Sequence, residues 1–401
     1  MSKNNENKLV PRLRFPEFNN EDEWEVKEVG DVFEITRGYV LSMNLVKDTQ
    51  SEEYPYPVFS SQTKNNGLAG FYDKYLYEDA ITWTTDGANA GDVNFRSGKF
   101  YCTNVCGVLL NNDGNANPCV AAILNSVSRK YVSYVGNPKL MNGVMRRIKI
   151  PFPKLKEQQK IAACLSSLDD VITAESKKLE VLKEHKKGLL QNLFPQEGET
   201  VPKLRFKEFE NSGEWEETTL THVADYENGK AHEQDITDDG DYIVVNSKFI
   251  SSDGEVKKFT NTAFCPAQKG DILMVLSDVP NGKAIAKCFL VEEEDRYTVN
   301  QRVCRITPRN LNSKILYYLL NRNPFFLAFD DGVKQTNLRK EDVLNCPLLI
   351  PSDPKEQQKV ADTLSSIDNL INAQSQKIET LKLHKKGLLQ GLFPDVNEHN
   401  G

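Results

Sequence analysis

Residues 157–194 read EQQKIAACLSSLDDVITAESKKLEVLKEHKKGLLQNLF, and residues 356–393 read EQQKVADTLSSIDNLINAQSQKIETLKLHKKGLLQGLF. EQQK, LSS[LI]D, HKKGLLQ and LF recur at the same spacing, 199 residues apart. In the first copy apolar residues fall at Ile161, Leu165, Leu168, Ile172, Leu179, Leu182, Leu189 and Leu193. In the second they fall at Val360, Leu364, Ile367, Ile371, Ile378, Leu381, Leu388 and Leu392. Steps of four and three alternate, which is the seam of a coiled coil. Glu175 and Lys186 break the first stripe, and Gln374 and Lys385 break the second at equivalent places. A helix of about 37 residues is roughly 55 Å long, well beyond the ~8–20 residues of an ordinary globular helix. Apolar on one side and charged elsewhere, it needs a partner over its stripe. The nearest partner is the other copy.

The helix is one part of a larger repeat. PRLRFPEFNNEDEWE (11–25) returns as PKLRFKEFENSGEWE (202–216). After Trp24 and Trp215 the pattern turns β-like. YPVFSS (56–61) corresponds to YIVVNS (242–247), and DAITWTT (79–85) to GDILMVLSD (270–278). GDVNF (91–95) and KAIAKCFL (283–290) are the expected hairpin partners across GANAG and PNG. TNVCGVLL (103–110) then matches TVNQRVCRI (298–306), setting Cys106 against Cys304. Shorter helices follow at 119–132 and 313–329, then polar loops GNPKLMNG (136–143) and GVKQTNLRKED (332–342), then strands ending in proline at 147–153 and 347–351. The expected fold class is α+β. Two similar mixed α/β domains are joined by two long antiparallel coiled-coil helices, a duplicated architecture with pseudo-twofold symmetry.

Several classes are excluded. No apolar run approaches the ~20 residues of a membrane span, and the N-terminus lacks the apolar centre of a signal peptide. The eight cysteines are scattered without a CxxC pair, as expected for reduced thiols in the cytoplasm and no metal site. No GxxxxGK[ST] phosphate loop is present. Asn323-Pro324-Phe325-Phe326 is the nearest approach to a methyltransferase [DN]PP[YF] loop, but it lacks the second proline and an upstream glycine-rich turn. Helix termination by the proline and packing by the phenylalanines account for it. His185 and His384 are equivalent helix residues beside paired lysines, and no nucleophile, base and orienting group assemble, so no catalytic residue is assigned. The net charge is −7, and all of it lies in residues 199–353, with 19 basic against 26 acidic side chains.

The polar loops suit nucleic-acid readout. In the first domain the candidates are Ser60, Ser61, Gln62, Lys64, Asn65 and Lys139. In the second they are Asn246, Ser247, Lys248, Asn300, Gln301, Arg302, Lys334, Gln335, Thr336, Asn337, Arg339 and Lys340. Arg and Lys pair with guanine edges, Asn and Gln with adenine edges, and others hold phosphates. The competing reading of each is a solvated loop residue, and of the last group a loop that caps the following strand.

Two dissimilar domains, each followed by a near-identical helix with EQQK[IV]A, LSS[LI]D, KKGLLQ and LFP, resemble the specificity subunit of type I restriction-modification systems. The resemblance spans essentially the whole chain, including the proline-rich lead-ins Ile150, Pro151, Pro153 and Ile350, Pro351, Pro354. It implies a first target recognition domain at 1–155, spacer helices at 156–195 and 354–394, a second recognition domain at 196–353, and a tail at 395–401. Each recognition domain would read half of a split site in double-stranded DNA. The helices would set the spacing and dock two methyltransferase subunits, and restriction-translocase subunits, two in the full enzyme, would complete the assembly. The chain itself would be non-catalytic. S-adenosylmethionine, and ATP and Mg for restriction, would belong to the partners. The alternative is a coiled-coil adaptor that binds no nucleic acid.

Overall fold

The computed structural model describes residues 9–61, 64–280 and 282–394. The tail at 395–401 lies outside them. The chain divides into two compact units: one runs to Lys177 and resumes at Ser375, and the other is Lys178–Gln374. Each unit holds one mixed domain, the start of one long helix and the end of the other. Among the described residues no helix is long and apolar enough to cross a membrane.

In the first unit a six-stranded sheet runs in the order Glu34–Arg37, Cys106–Leu110, Tyr77–Thr84, Val93–Cys102, Tyr56–Phe59, Leu68–Tyr72. The strand Val93–Cys102 is antiparallel to Tyr77–Thr84 and parallel to Tyr56–Phe59. In the second unit that single strand is divided. Cys288–Leu290 pairs with Ile272–Val275, whereas Tyr297–Val299 runs parallel to Tyr242–Val245, and two four-stranded sheets result. The acidic stretch between them, with Asp295 at φ 49°, makes the break.

Within TVNQRVCRI the polar residues 300–302 form a turn between Tyr297–Val299 and Val303–Pro308, with Arg302 at φ 72°. One sequence expectation is corrected. The strand registers shift the match of Cys106 by one residue: Thr84 faces Cys106 where Val275 faces Val303.

The repeated motifs converge on one joint in each unit. The Glu157 carboxylate accepts from Arg14 Nε and Nη2, both at 2.8 Å, and from Trp24 Nε1 at 3.1 Å. Glu356 accepts from Arg205 Nε and Nη2 at 2.8 Å and from Trp215 Nε1 at 3.3 Å. The neighbouring glutamine ties the helix start to the domain. Gln158 Nε2 donates to Pro153 O (2.8 Å), and its Oε1 accepts from Asn117, the N-cap of Pro118–Val127. Gln357 does the same with Pro351 O (2.9 Å) and the backbone amide of Asn312, the N-cap of Ser313–Leu320. The lead-in also seizes the end of the other helix: Leu13 N donates to Gly391 O (2.9 Å), and Leu204 N to Asn192 O (2.8 Å).

The long helices are Leu155–Leu193 and Pro354–Leu392. Ile161, Leu165, Leu193, Val360, Leu364, Ile367, Ile378 and Leu392 are buried, and Leu168, Ile172, Leu179, Leu182, Leu189, Ile371, Leu381 and Leu388 are half-buried. Apolar helix residues off the stripe, such as Val181 and Leu383, are exposed. The helices run antiparallel. Asp169 pairs with Lys385 and Glu175 with Lys377 in the first unit, so the partner number falls as the first rises, and Lys186 pairs with Asp368 in the second.

Replacing Glu157 by Ala leaves Arg14, whose side chain is 6% exposed, charged and without its acid. The expected loss is ~3–5 kcal/mol of unfolding free energy, against less than ~0.5 kcal/mol for Lys183→Ala at an exposed i,i+3 pair. Urea titration followed by circular dichroism measures both, and equal midpoints would remove the joint from the stability of this unit.

Candidate nucleic-acid interface

The polar loops of each unit are brought to one edge by the same backbone hydrogen bonds. In the first, Thr103 N donates to Phe59 O, Thr85 N to Val105 O and Leu140 N to Thr85 O, each at 2.9 Å. In the second, Asn300 N donates to Val245 O (3.0 Å), Leu276 N to Arg302 O and Leu338 N to Leu276 O (both 2.8 Å). A fourth bond joins Gly38 N to Cys106 O, and Gly229 N to Val303 O, at 2.9 Å. Both glycines are required by proximity: a Cβ would lie 2.2 Å from Cys102 O at Gly38 and 2.1 Å from Asn300 O at Gly229. Tyr39 and Lys230, which follow them, therefore lie along the edge. A single loop weave carries two different sets of side chains.

On the first edge, Ser60 Oγ accepts from Thr103 Oγ1 (2.9 Å) and Ser61 O from Asn89 Nδ2 (3.0 Å). Asn65 is exposed at φ 50°. Lys139 is exposed with Nζ 3.7 Å from Asp86 Oδ1. Gln62 lies outside the described residues, as does the side chain of Lys64.

On the second edge, Asn246 Oδ1 accepts from Phe249 N (2.9 Å) and caps the helix Ser247–Ser251, in which Ser247 is half-buried and Lys248 exposed. The side-chain amides of Asn300 and Gln301 both donate to Glu233 Oε1, at 3.4 and 2.9 Å. That carboxylate is held below its ordinary range, chiefly by a backbone amide. Arg302 projects from its turn, exposed. The strand Ser277–Asp278 pairs with Thr336–Asn337 and ties the last polar loop to this edge. Lys334, Gln335, Asn337, Arg339 and Lys340 are exposed, and Thr336 is buried. Asn337 Oδ1 accepts from Ser277 Oγ (2.6 Å) and Gln335 Nε2 (3.3 Å). Arg339 N donates to Asp342 Oδ2 (2.8 Å) at the start of the helix Lys340–Leu344, and Lys340 Nζ lies 5.8 Å over the Tyr226 ring.

Sequence reasoning passed over Tyr39, Asn89, Lys230 and Glu233. Their signal was the glycine that ends each first sheet strand, at 38 and 229, and the GANAG turn.

His232 is a satisfied core residue. Its Nδ1 lies 2.7 Å from Lys230 O, a distance at which it donates to the carbonyl, and its Nε2 lies 3.0 Å from Thr298 Oγ1. Asn323 caps the helix Pro324–Leu327 by accepting from Phe325 N (2.9 Å), and Phe326 is fully buried. Proline here opens a short helix rather than ending one.

Duplicated domains with variable loop edges on a shared antiparallel helix pair define a class of paired recognition domains. The chain belongs to the type I restriction modification DNA specificity domain family, which it matches at residues 21–184 and again at 212–383. It is similar to the type I restriction enzyme MjaVIII specificity subunit of Methanocaldococcus jannaschii, with 27% identity over 415 aligned positions covering 95% of this chain and 93% of that one. Its fold is shared with the type I restriction-modification S subunit from M. genitalium (TM-score 0.66, 16% identity, 96% of this chain and 100% of that one). A chain from a structure of type I R-M complex assembly is also similar (TM-score 0.55, 15% identity, 92% and 97%).

Arg302 holds a left-handed conformation that costs a non-glycine residue ~1–3 kcal/mol. Arg302→Gly is expected to raise the unfolding free energy by about 1 kcal/mol while removing a cation from the edge. Thermal unfolding tests this: a lower midpoint would mean that the Arg302 side chain supports the fold.

Proposed function

We propose that this chain reads an asymmetric, bipartite double-stranded DNA site, each loop edge contacting one half. The long helices set the separation and dock two methyltransferase subunits. The observation that carries the reading is the weave of four hydrogen bonds, common to both units, displaying side chains that differ. A scaffold without nucleic acid gives no reason to keep the frame and diversify its rim.

On the second edge the exposed Gln335 suits adenine, Arg302 and Arg339 suit guanine, and Lys334 and Lys340 suit phosphate, while Asn337, its Oδ1 taken by Ser277 and Gln335, orients the loop. Asn246 and Thr336, engaged or buried, hold the frame. Val171 and Leu370 stand at equivalent places in the two helices and are exposed, which favours two identical partners. The chain carries no chemistry of its own in this reading. His232 is spent on the core, and S-adenosylmethionine, with ATP and Mg where restriction occurs, belongs to the partner subunits, including the two restriction-translocase subunits of a complete enzyme.

Inserting one heptad after Lys177 and one after Gln374 preserves the seam register and lengthens each helix by ~10 Å. At ~3.4 Å per base pair, the gap is expected to grow by about 3 bp with both half-sites unchanged. Methylome mapping in a host that supplies the methyltransferase reads this out, and a contiguous target would sink the bipartite reading. In the same complex Gln335→Ala is expected to relax discrimination at one base pair by ~1–3 kcal/mol. Lys340→Ala is expected to weaken all sequences alike. Titration against cognate and single-mismatch duplexes separates the two, and wild-type behaviour in both would take this loop out of the interface.

A further inference from the structure

The first domain contains an arginine, Arg96, whose charge no carboxylate among the described residues neutralises. Arg96 lies on Val93–Cys102, in register with Ala80 of the neighbouring strand, where Asn94 faces Thr82. With a period of two, Arg96, Asn94, Thr82 and Thr84 share the sheet face opposite Ile81 and Trp83. A small cluster of Ala80, Phe100, Cys102, Cys106 and Val108, with Phe59 against it, covers part of that face. The guanidinium lies 3.8 Å over the Phe59 ring, and Nε donates to Thr82 Oγ1 at 2.9 Å. Arg96 is 8% exposed, yet among the described residues neither Nη meets an acceptor and no carboxylate pairs with it. Burial pushes its pKa down to about 10, so it is still charged at neutral pH. A buried charge left unpaired is costly, and proteins seldom keep one without a counterion.

The side chain forms part of a pocket of about 230 Å³ lined also by Ser60, Thr84, Asn94, Asn125 and Arg129. Asp92 is there too, but Arg129 holds it through Nη2 and Nε. Donors prevail. Asn125 Oδ1 is taken by Val93 N, which leaves its NH2 group, and Ser60 Oγ already accepts from Thr103, which leaves its own proton to give. Such a pocket recognises an acceptor-rich anion. Ser60 belongs to the loop edge, so the pocket opens beside the surface assigned to DNA.

We propose that this pocket seats one backbone phosphate of the first half-site, with Arg96 as the buried donor that fixes how the duplex sits on the first domain. The inference rests on the DNA-reading function. A base is the poorer occupant because it would have to leave the stack, whereas a phosphate already lies on the outside of the duplex. Arg96 thus positions and does not discriminate.

The test uses the full chain with its methyltransferase partners. Arg96→Gln is expected to weaken cognate and non-cognate duplexes alike by about ten-fold, and to lower the slope of log K against log salt by about 0.9. Wild type should suffer the same loss on a duplex in which one phosphate of the first half-site is a neutral methylphosphonate, and the variant should be indifferent to that change. An unaltered salt slope, or tolerance of a methylphosphonate at every position of the first half-site, overturns the phosphate seat while leaving DNA binding intact. Failure of the wild-type complex to bind duplex at all overturns the functional reading instead. Should inorganic phosphate raise the melting point of wild type while the variant binds DNA normally, the pocket takes a free anion and the proposal fails. If Arg96→Gln does not fold, the methylphosphonate scan on wild type decides alone.

Discussion

Everything else in this molecule depends on a buried carboxylate at the foot of each long helix. Glu157 and Glu356 each take a two-pronged arginine and an indole N–H inside the protein, at 3% and 2% side-chain exposure. A buried ion pair adds little net stability over apolar packing, but removing one partner is severe. Its value is therefore in choosing which segments meet. The arginine and tryptophan come from the lead-in, the glutamate from the helix that starts a domain-length later, and the same lead-in bonds the end of the other helix. Each joint consequently unites three segments, the lead-in, the start of one helix and the end of the other, and the core beside it is closed by residues such as Leu165 with Leu392, or Leu193 with Val360.

That arrangement frees the domain rims. Because the joint, the Gln158 and Gln357 contacts and the loop weave use backbone atoms or repeated side chains, the residues between them can diverge without loss of the frame. The rims then tolerate what a core would not. Asn65, Asn66 and Arg302 occupy left-handed backbone, a strain that persists where the surrounding structure over-determines it and a projecting side chain is of use.

Periodicity made the helices legible. A stripe at steps of four and three predicts which face is covered, and none of the sixteen stripe residues is exposed. The lead-in repeat was visible as text, but its purpose was not, since a bidentate arginine 143 residues from its glutamate leaves no local pattern. Strands were legible where apolar residues ran together, as in Tyr77–Thr84, and blurred where a turn interrupts them. In 298–306 the polar NQR marks the loop, but not the left-handed turn at Arg302. Of the edge, polarity marked the loops but not their depth: Thr336 reads like its neighbours and is buried. Arg96 is the extreme case, because a charged residue at an alternating strand position reads as facing solvent.

The interruptions of the apolar stripe carry the remaining information. Lys186 and Lys385 are equivalent residues of HKK, and Asp169 and Asp368 are equivalent residues of LSS[LI]D. The structure pairs Lys385 with Asp169 and Lys186 with Asp368, so one ion pair is made twice. In the second unit Tyr318 adds to it, its hydroxyl 2.7 Å from Asp368 Oδ2. Two nearly identical helices could otherwise pair in parallel and in register, with every leucine meeting its own counterpart. That alignment would set Lys186 against Lys385 inside the seam, and like charges there repel. The antiparallel alignment gives each lysine an acid. Polar residues within a seam lower its stability and select its register and direction, so the same two motifs that mark the repeat in the sequence also dictate that its copies run in opposite directions.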